Sequence, residues 1–192
     1  MFDVVVVGAR CGGAATAMLL SRKGYRVLLV DRAAFPSEVP STSYIKAAGV
    51  ARLAEWGLLD RIAASGCPPL PTMVHRVAGV RLAGTISAGR FAIAPRRSVL
   101  DQILVEAAVR AGAVFEDNCP LTELSTDSSG RVTGVSLRLA GRRVDEPAAL
   151  VVGADGMRSR VARLCGARTV RDDGRLTCVY YSAWLGLDTS FG

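Results

Sequence analysis

The sequence predicts an α/β fold built on a central parallel sheet, and three observations at its start predict it. The chain opens on a near-continuous run of valines, Phe2 to Gly8, that stops at a glycine. That is the pattern of a short strand buried on both faces. Gly12 to Lys23 is rich in Ala, Leu and Met and ends at Gly24, with Arg22 and Lys23 in its last turn. A helix dipole favours cations there, and glycine suits the turn beyond. Tyr25 to Val30 is a second apolar run ending at Asp31. Strand, helix and strand joined this tightly imply a parallel pair with a right-handed crossover.

The remaining elements follow in order. Phe35 to Thr42 carries two prolines and reads as a loop, while Ile45 to Trp56 and Leu58 to Ser65 read as helices. Cys67 to Pro71 holds three prolines and marks a turn. Thr72 to Leu82 and Thr85 to Ala94 alternate weakly and are expected as short strands. Arg97 to Ala111 repeats Val99, Leu100, Ile103, Leu104, Ala107 and Ala108 at helical spacing. Gly112 caps it, and Ala113 to Glu116 is a third short strand. Pro120 to Thr126, Arg131 to Leu139 and Arg142 to Asp145 are separated by hairpin-like linkers, which predicts an antiparallel meander over about residues 119–146. Leu150 to Gly153 is expected as a further buried parallel strand, Arg158 to Cys165 as a short helix, and Leu176 to Leu187 as a last strand. Charge and glycine gather near residues 170–175 and suggest a boundary there.

Composition narrows the function. Half of the 192 residues are hydrophobic and few are aromatic, which suits helices packed closely on a sheet. The formal charge is +7, but the arginines are scattered and no long basic run occurs. A nucleic-acid tail is therefore not indicated. The five cysteines form no CxxC pair and there is a single histidine, His75. Neither a disulfide framework nor a zinc site is suggested, and a reducing cytoplasm fits best. The opening apolar run is too short for a signal peptide or a membrane span, so a soluble protein is expected.

Two constellations carry chemistry. Gly8-Ala9-Arg10-Cys11-Gly12-Gly13 lies between the first strand and the first helix. A dinucleotide's pyrophosphate needs amides at a helix N-terminus, and glycines where the chain turns and where helix packs on strand. Gly8 and Gly13 fill the first and third places of G-x-G-x-x-G, whereas the middle place is Arg10. Arg10 either obstructs the phosphate or swings away and lends it charge, and the second reading is preferred. Asp31, followed by Arg32, stands 18 residues after Gly13, where an acid accepts hydrogen bonds from a ribose. The plainer alternative is a glycine-rich turn that binds no nucleotide. The second constellation is Asp155-Gly156 at the end of the Val151-Val152-Gly153 strand, ahead of Ser159 and a short helix. Asp155 is suited to bind a hydroxyl or to hold the first loop, and equally to make an ordinary Asp-Gly turn that caps the helix. Arg97 at the head of its helix reads, by composition alone, as a solvated residue on an amphipathic helix.

Taken with the Arg97-Ser98-Val99-Leu100-Asp101 stretch, these motifs resemble the para-hydroxybenzoate hydroxylase-like FAD-dependent oxidoreductases. That superfamily holds the group A flavoprotein monooxygenases, the geranylgeranyl reductases and flavin-dependent halogenases. The stretch from Val4 to Ser41 is similar to a bacterial subgroup in which GARCxG replaces GxGxxG. The resemblance implies a Rossmann-like FAD-binding domain over residues 1–172, and over 173–192 the beginning of a truncated substrate-binding domain. It implies that Gly8, Gly12 and Gly13, with Arg10 and Cys11 in the same loop, face the FAD pyrophosphate. Asp31 would bind the adenosine ribose, with Arg32 beside it as a further cofactor-binding residue, Arg97 would lie near the phosphates and ribityl chain, and Asp155 and Gly156 at both FAD and NAD(P)H. The family's second flavin motif, a later Gly-Asp, has no match, so a partial chain is expected.

The function so implied is an FAD-dependent oxidoreductase, in first place a monooxygenase. NAD(P)H would serve as electron donor and an aromatic or polyketide-like small molecule as substrate. The alternatives are a geranylgeranyl reductase-like flavoenzyme and a non-catalytic nucleotide-binding fragment. His75 and Cys11 are read as structural, Trp56 and Trp184 as core, and Tyr180 and Tyr181 as possible pocket residues. The identity of the substrate and the oligomeric state are not legible.

Overall fold

The computed structural model describes residues 1–41, 43–86 and 89–174. The opening valines form β1 (Phe2–Val7), followed by α1 (Cys11–Arg22) and β2 (Val27–Val30). Two short helices come next, α2 (Ala47–Glu55) and α3 (Leu59–Ala64), then a hairpin of β3 (Thr72–Val77) and β4 (Val80–Thr85). The long helix α4 (Arg97–Arg110) leads into β5 (Val114–Glu116). The chain continues through β6 (Leu121–Thr126), β7 (Val132–Leu139), β8 (Arg142–Gly153) and α5 (Arg160–Leu164).

The main sheet has the order β5-β2-β1-β8-β7-β6, and β3-β4 stands apart as a two-stranded sheet. β5, β2, β1 and the end of β8 run parallel, whereas β8, β7 and β6 are antiparallel. Side chains alternate across a strand, so each strand feeds two cores. Val4, Val6, Val27 and Leu29 point into the cluster that contains α1 and α4. Val5, Val7, Leu28 and Val30 point the other way, against Leu121, Val135, Leu137 and Ala148. Each such buried aliphatic side chain contributes about 1.5–3 kcal/mol, which makes β1 the anchor of the fold.

Three strand expectations are corrected. Arg142 to Asp145 and Leu150 to Gly153 are one strand, β8, which changes partners midway. Up to Pro147 it pairs with β7, and from Ala148 it pairs with β1. Proline lacks an N–H, so it sits at the point where one ladder ends and the other starts. Gly134 opposite must be small, because a Cβ there would come within 3.0 Å of the Pro147 Cα. Nor is the end of β8 buried, since Leu150 is 53% exposed. The second correction is Thr72 to Leu82, which turns back on itself at Ala78 (φ 50°) and Gly79 (φ 82°). Two successive positive φ values make the tight hairpin turn that matches strand twist. The third is Thr85 to Ala94: beyond Thr85 its described residues make isolated bridges, Leu70 with Ala92 and Ile45 with Ile93.

The other elements lie within one to three residues of expectation. The expected strand over residues 176–187, with Cys178, Tyr180, Tyr181 and Trp184, lies outside the described residues. Trp56 packs against the α1–α4 core. His75 is exposed on β3. Among the described residues, no helix is long and apolar enough to cross a membrane and no cluster of metal-ligating side chains occurs.

Candidate functional site

β1, β2 and β8 end on the same edge of the sheet, and the loops that leave them enclose a cavity of about 520 Å³. Ligands of open α/β sheets bind in such crevices beyond the carboxyl ends of parallel strands. Gly8 makes the turn out of β1 at φ +101°. A side chain there would strike the backbone of Ala154 and Asp155, so only glycine lets the two loops meet. Gly13 faces Gly8 from the first turn of α1, and a Cβ on it would overlap the Gly8 carbonyl oxygen. Gly12 is the opposite case: it is exposed, and a Cβ there would meet nothing within 4 Å. No side chain caps α1. Its first amides therefore point outward as donors, aided by the helix dipole.

Asp31 is buried at the end of β2. One carboxylate oxygen accepts the Ala9 amide at 2.7 Å and the other accepts the Ala33 amide at 2.8 Å. The acid therefore holds the turn after β1 as well as lining the cavity. Each oxygen keeps a second lone pair for a ligand hydroxyl. Arg32 is exposed on the cavity wall next to it.

Arg10 also lines the cavity, but its guanidinium is engaged elsewhere. Nη1 donates to Asp101 and to the Ser37 carbonyl, both at 3.0 Å, and Nη2 donates to the Ser37 hydroxyl at 2.7 Å. The group lies 4.6 Å over the ring of Phe35. Arg97 is not on the cavity wall. It sits behind Arg10, with Nη2 at 3.0 Å from both oxygens of Asp101. Cys11 donates its thiol to the same carboxylate at 3.3 Å. Burial and the neighbouring Asp101 charge push that thiol up to about 11.

Asp155 and Gly156 line the cavity from the far side. Asp155 accepts the Ser159 hydroxyl at 2.6 Å, together with the amides of Arg160 and Val161. Ser159 in turn accepts the Ala162 amide and caps α5. Burial pushes Asp155 up, yet the Ser159 hydroxyl and the amides of Val161 and Arg160 outweigh it and hold the carboxyl below its ordinary value. Arg158, Arg160 and Arg163 complete a basic rim on this side.

The fold thus gathers Gly8, Arg10, Asp31, Arg32, Asp155 and Gly156 on one cavity. Cys11, Gly12 and Gly13 form the adjoining helix start, and Arg97 lies one layer back. Sequence reasoning missed Asp101, which is fully buried on α4, and the Ser37-Glu38-Val39 segment that forms a wall. The Asp101 signal was an acid on the apolar side of α4, between Leu100 and Leu104. The residues present fit FAD: the outward amides would suit a diphosphate, the acid a ribose, and the basic rim would offset phosphate charge.

Comparison with known proteins gives the family. Residues 1–184 match the family model of the FAD binding domain, and the chain belongs to that family. It is 29% identical over 173 residues to a digeranylgeranylglycerophospholipid reductase of Methanocella arvoryzae, covering 88% of this chain and 42% of the relative. It is 31% identical over 176 residues to a rifampicin monooxygenase of Streptomyces venezuelae, covering 86% of this chain and 34% of the relative. Among solved structures it is similar to aklavinone-11 hydroxylase in its ternary complex with FAD and aklavinone. That match has a TM-score of 0.70 and 27% identity, and covers 86% of this chain and 35% of that one. The chain thus spans well under half the length of these relatives. Its family is one of FAD-dependent oxidoreductases.

Proposed function

We propose that this chain is the FAD-binding portion of an NAD(P)H-dependent monooxygenase that hydroxylates an organic small molecule, aromatic or polyketide-like. The observation that carries the reading is the meeting of Gly8, Gly13 and Asp31 at one turn, with the open Gly12 amide beside them. On this reading the amides of Gly12 and Gly13 bind the pyrophosphate, and Asp31 accepts from the adenosine ribose while it holds Ala9. Arg10, Arg32 and, from the second layer, Arg97 supply positive potential. Asp155 and Gly156 border the flavin side, where NAD(P)H approaches. Bound FAD supplies the electron transfer, and the residues named here bind and orient it. Residues 1–172 are the cofactor domain on this account, and 173–192 begin the substrate domain.

The test is NAD(P)H oxidation by the whole native protein with an oxygen electrode. Consumption of O2 coupled to hydroxylated product supports the reading, while electron transfer to an alkene without O2 sinks it. That second outcome belongs to a reductase of isoprenoid double bonds, a reading favoured by the similarity to the archaeal reductase. A folded protein that never takes up flavin is instead a non-catalytic remnant.

A further inference from the structure

We propose that Asp101 is a positioning residue of the cofactor cavity, acting through Arg10 to hold residues 35–39 as one of its walls. The proposal rests on FAD occupying that cavity. Asp101 is 0% exposed. A buried carboxylate persists only where opposite charges and donors meet it. Here Arg10, Arg97 and Cys11 converge on it from 3.0 to 3.3 Å.

The two guanidiniums do different work. Arg97 is on the same helix, one turn away, and holds Asp101 in place. Arg10 comes from the loop that ends β1 and passes the constraint onward. Two more of its N–H groups donate to the Ser37 carbonyl and hydroxyl, and its face covers Phe35. Phe35 is fixed independently, by its amide on Asp117 and its ring against Phe115. Ser98 on α4 adds a hydroxyl bond to Glu38. Ser37, Glu38 and Val39 line the cavity directly.

A single guanidinium therefore joins α4, the loop that carries the cofactor-facing glycines, and the wall opposite. This explains how a bulky residue is tolerated at the place where the dinucleotide pattern has its middle glycine. The guanidinium is held by Asp101 and Ser37 on the cavity wall. Without the Asp101 charge, Arg10 and Arg97 face each other as like charges, and Arg10 loses the anchor through which it holds Ser37.

The experiment compares wild type, Asp101→Asn, Arg10→Lys and the double variant by amide hydrogen exchange without FAD, and by FAD titration. Asp101→Asn is expected to speed exchange in residues 35–39 about tenfold and to weaken FAD binding about tenfold, the scale of one lost charge-assisted bond. Protection of β1 and β8 stays unchanged, and the double variant binds no more weakly than the weaker single one. Uniform loss of protection across the sheet would mean a merely structural role and overturns the proposal. So does unchanged exchange at 35–39, additive loss in the double variant, or FAD affinity that holds or rises in Asp101→Asn. Should Asp101→Asn fail to fold, Arg10→Lys reads the same contact, since it keeps the charge and loses the second donor to Ser37. A folded wild-type chain that takes up no FAD overturns the cofactor reading, and the exchange result then still decides whether Asp101 holds the loop.

Discussion

The carboxylate of Asp31 closes on the amide of Ala9 at 2.7 Å, joining the end of β2 to the turn that leaves β1. A ligand at this turn meets a loop whose path is set before it arrives. Asp31→Ala leaves the Ala9 amide without its buried acceptor, which costs about 1–3 kcal/mol. Chemical denaturation is expected to read that loss, and flavin fluorescence titration a weaker association with FAD. Unchanged stability and unchanged affinity would leave Asp31 with neither role.

Gly13→Ala tests the packing of α1 on β1. Its methyl group would fall on the Gly8 carbonyl oxygen, which is backbone and cannot yield without moving the turn. Overpacking of this kind costs about 1–3 kcal/mol. Gly12→Ala meets open space, so its stability is expected to stay close to wild type. Thermal unfolding of the pair separates the two glycines, and equal Tm values would refute the close-approach argument.

The Asp155 carboxyl is held below its ordinary value by the Ser159 hydroxyl and the amides of Val161 and Arg160, against the upward push of burial. A depressed folded value means that the unfolded chain binds the proton first as pH falls. The stabilisation is thus complete above the ordinary carboxylate value near 3.8 and is lost as pH falls through the folded value. Asp155→Asn is expected to flatten this acid limb of the stability curve. An acid limb identical to wild type would count against the capping role.

Cys11 has a thiol pushed up to about 11 by burial and by Asp101. The ordinary value is 9.0, so at pH 8 its thiolate is rarer by about a hundredfold. Alkylation mapped by mass spectrometry is expected to mark the exposed Cys165 well before Cys11. Early labelling of Cys11 would show that the Asp101 contact does not persist in solution.

The first strand, first helix and second strand were legible because each is specified locally. Consecutive valines, a run of helix formers and punctuating glycines need no distant partner to be read. β8 was not legible as one strand, because Pro147 looks like a break until β7 and β1 are both beside it. The same limit applied to the site. Gly8, Gly13 and Asp31 follow a spacing visible in the chain, whereas Asp101 meets Arg10 across 91 residues. Its burial depends on two guanidiniums whose directions only the fold sets. Ser37 escaped notice for the same reason, as one hydroxyl residue in a proline-containing loop.

The account turns on recognition of an adenosine diphosphate unit by the β1 turn and Asp31, and calorimetric titration of the folded chain with FAD and with FMN tests it most directly. FAD is predicted to bind with measurable heat, and FMN, which lacks that unit, at least about tenfold more weakly, a difference of roughly 1.4 kcal/mol. Equal affinity for the two flavins, or no heat from FAD, would contradict it.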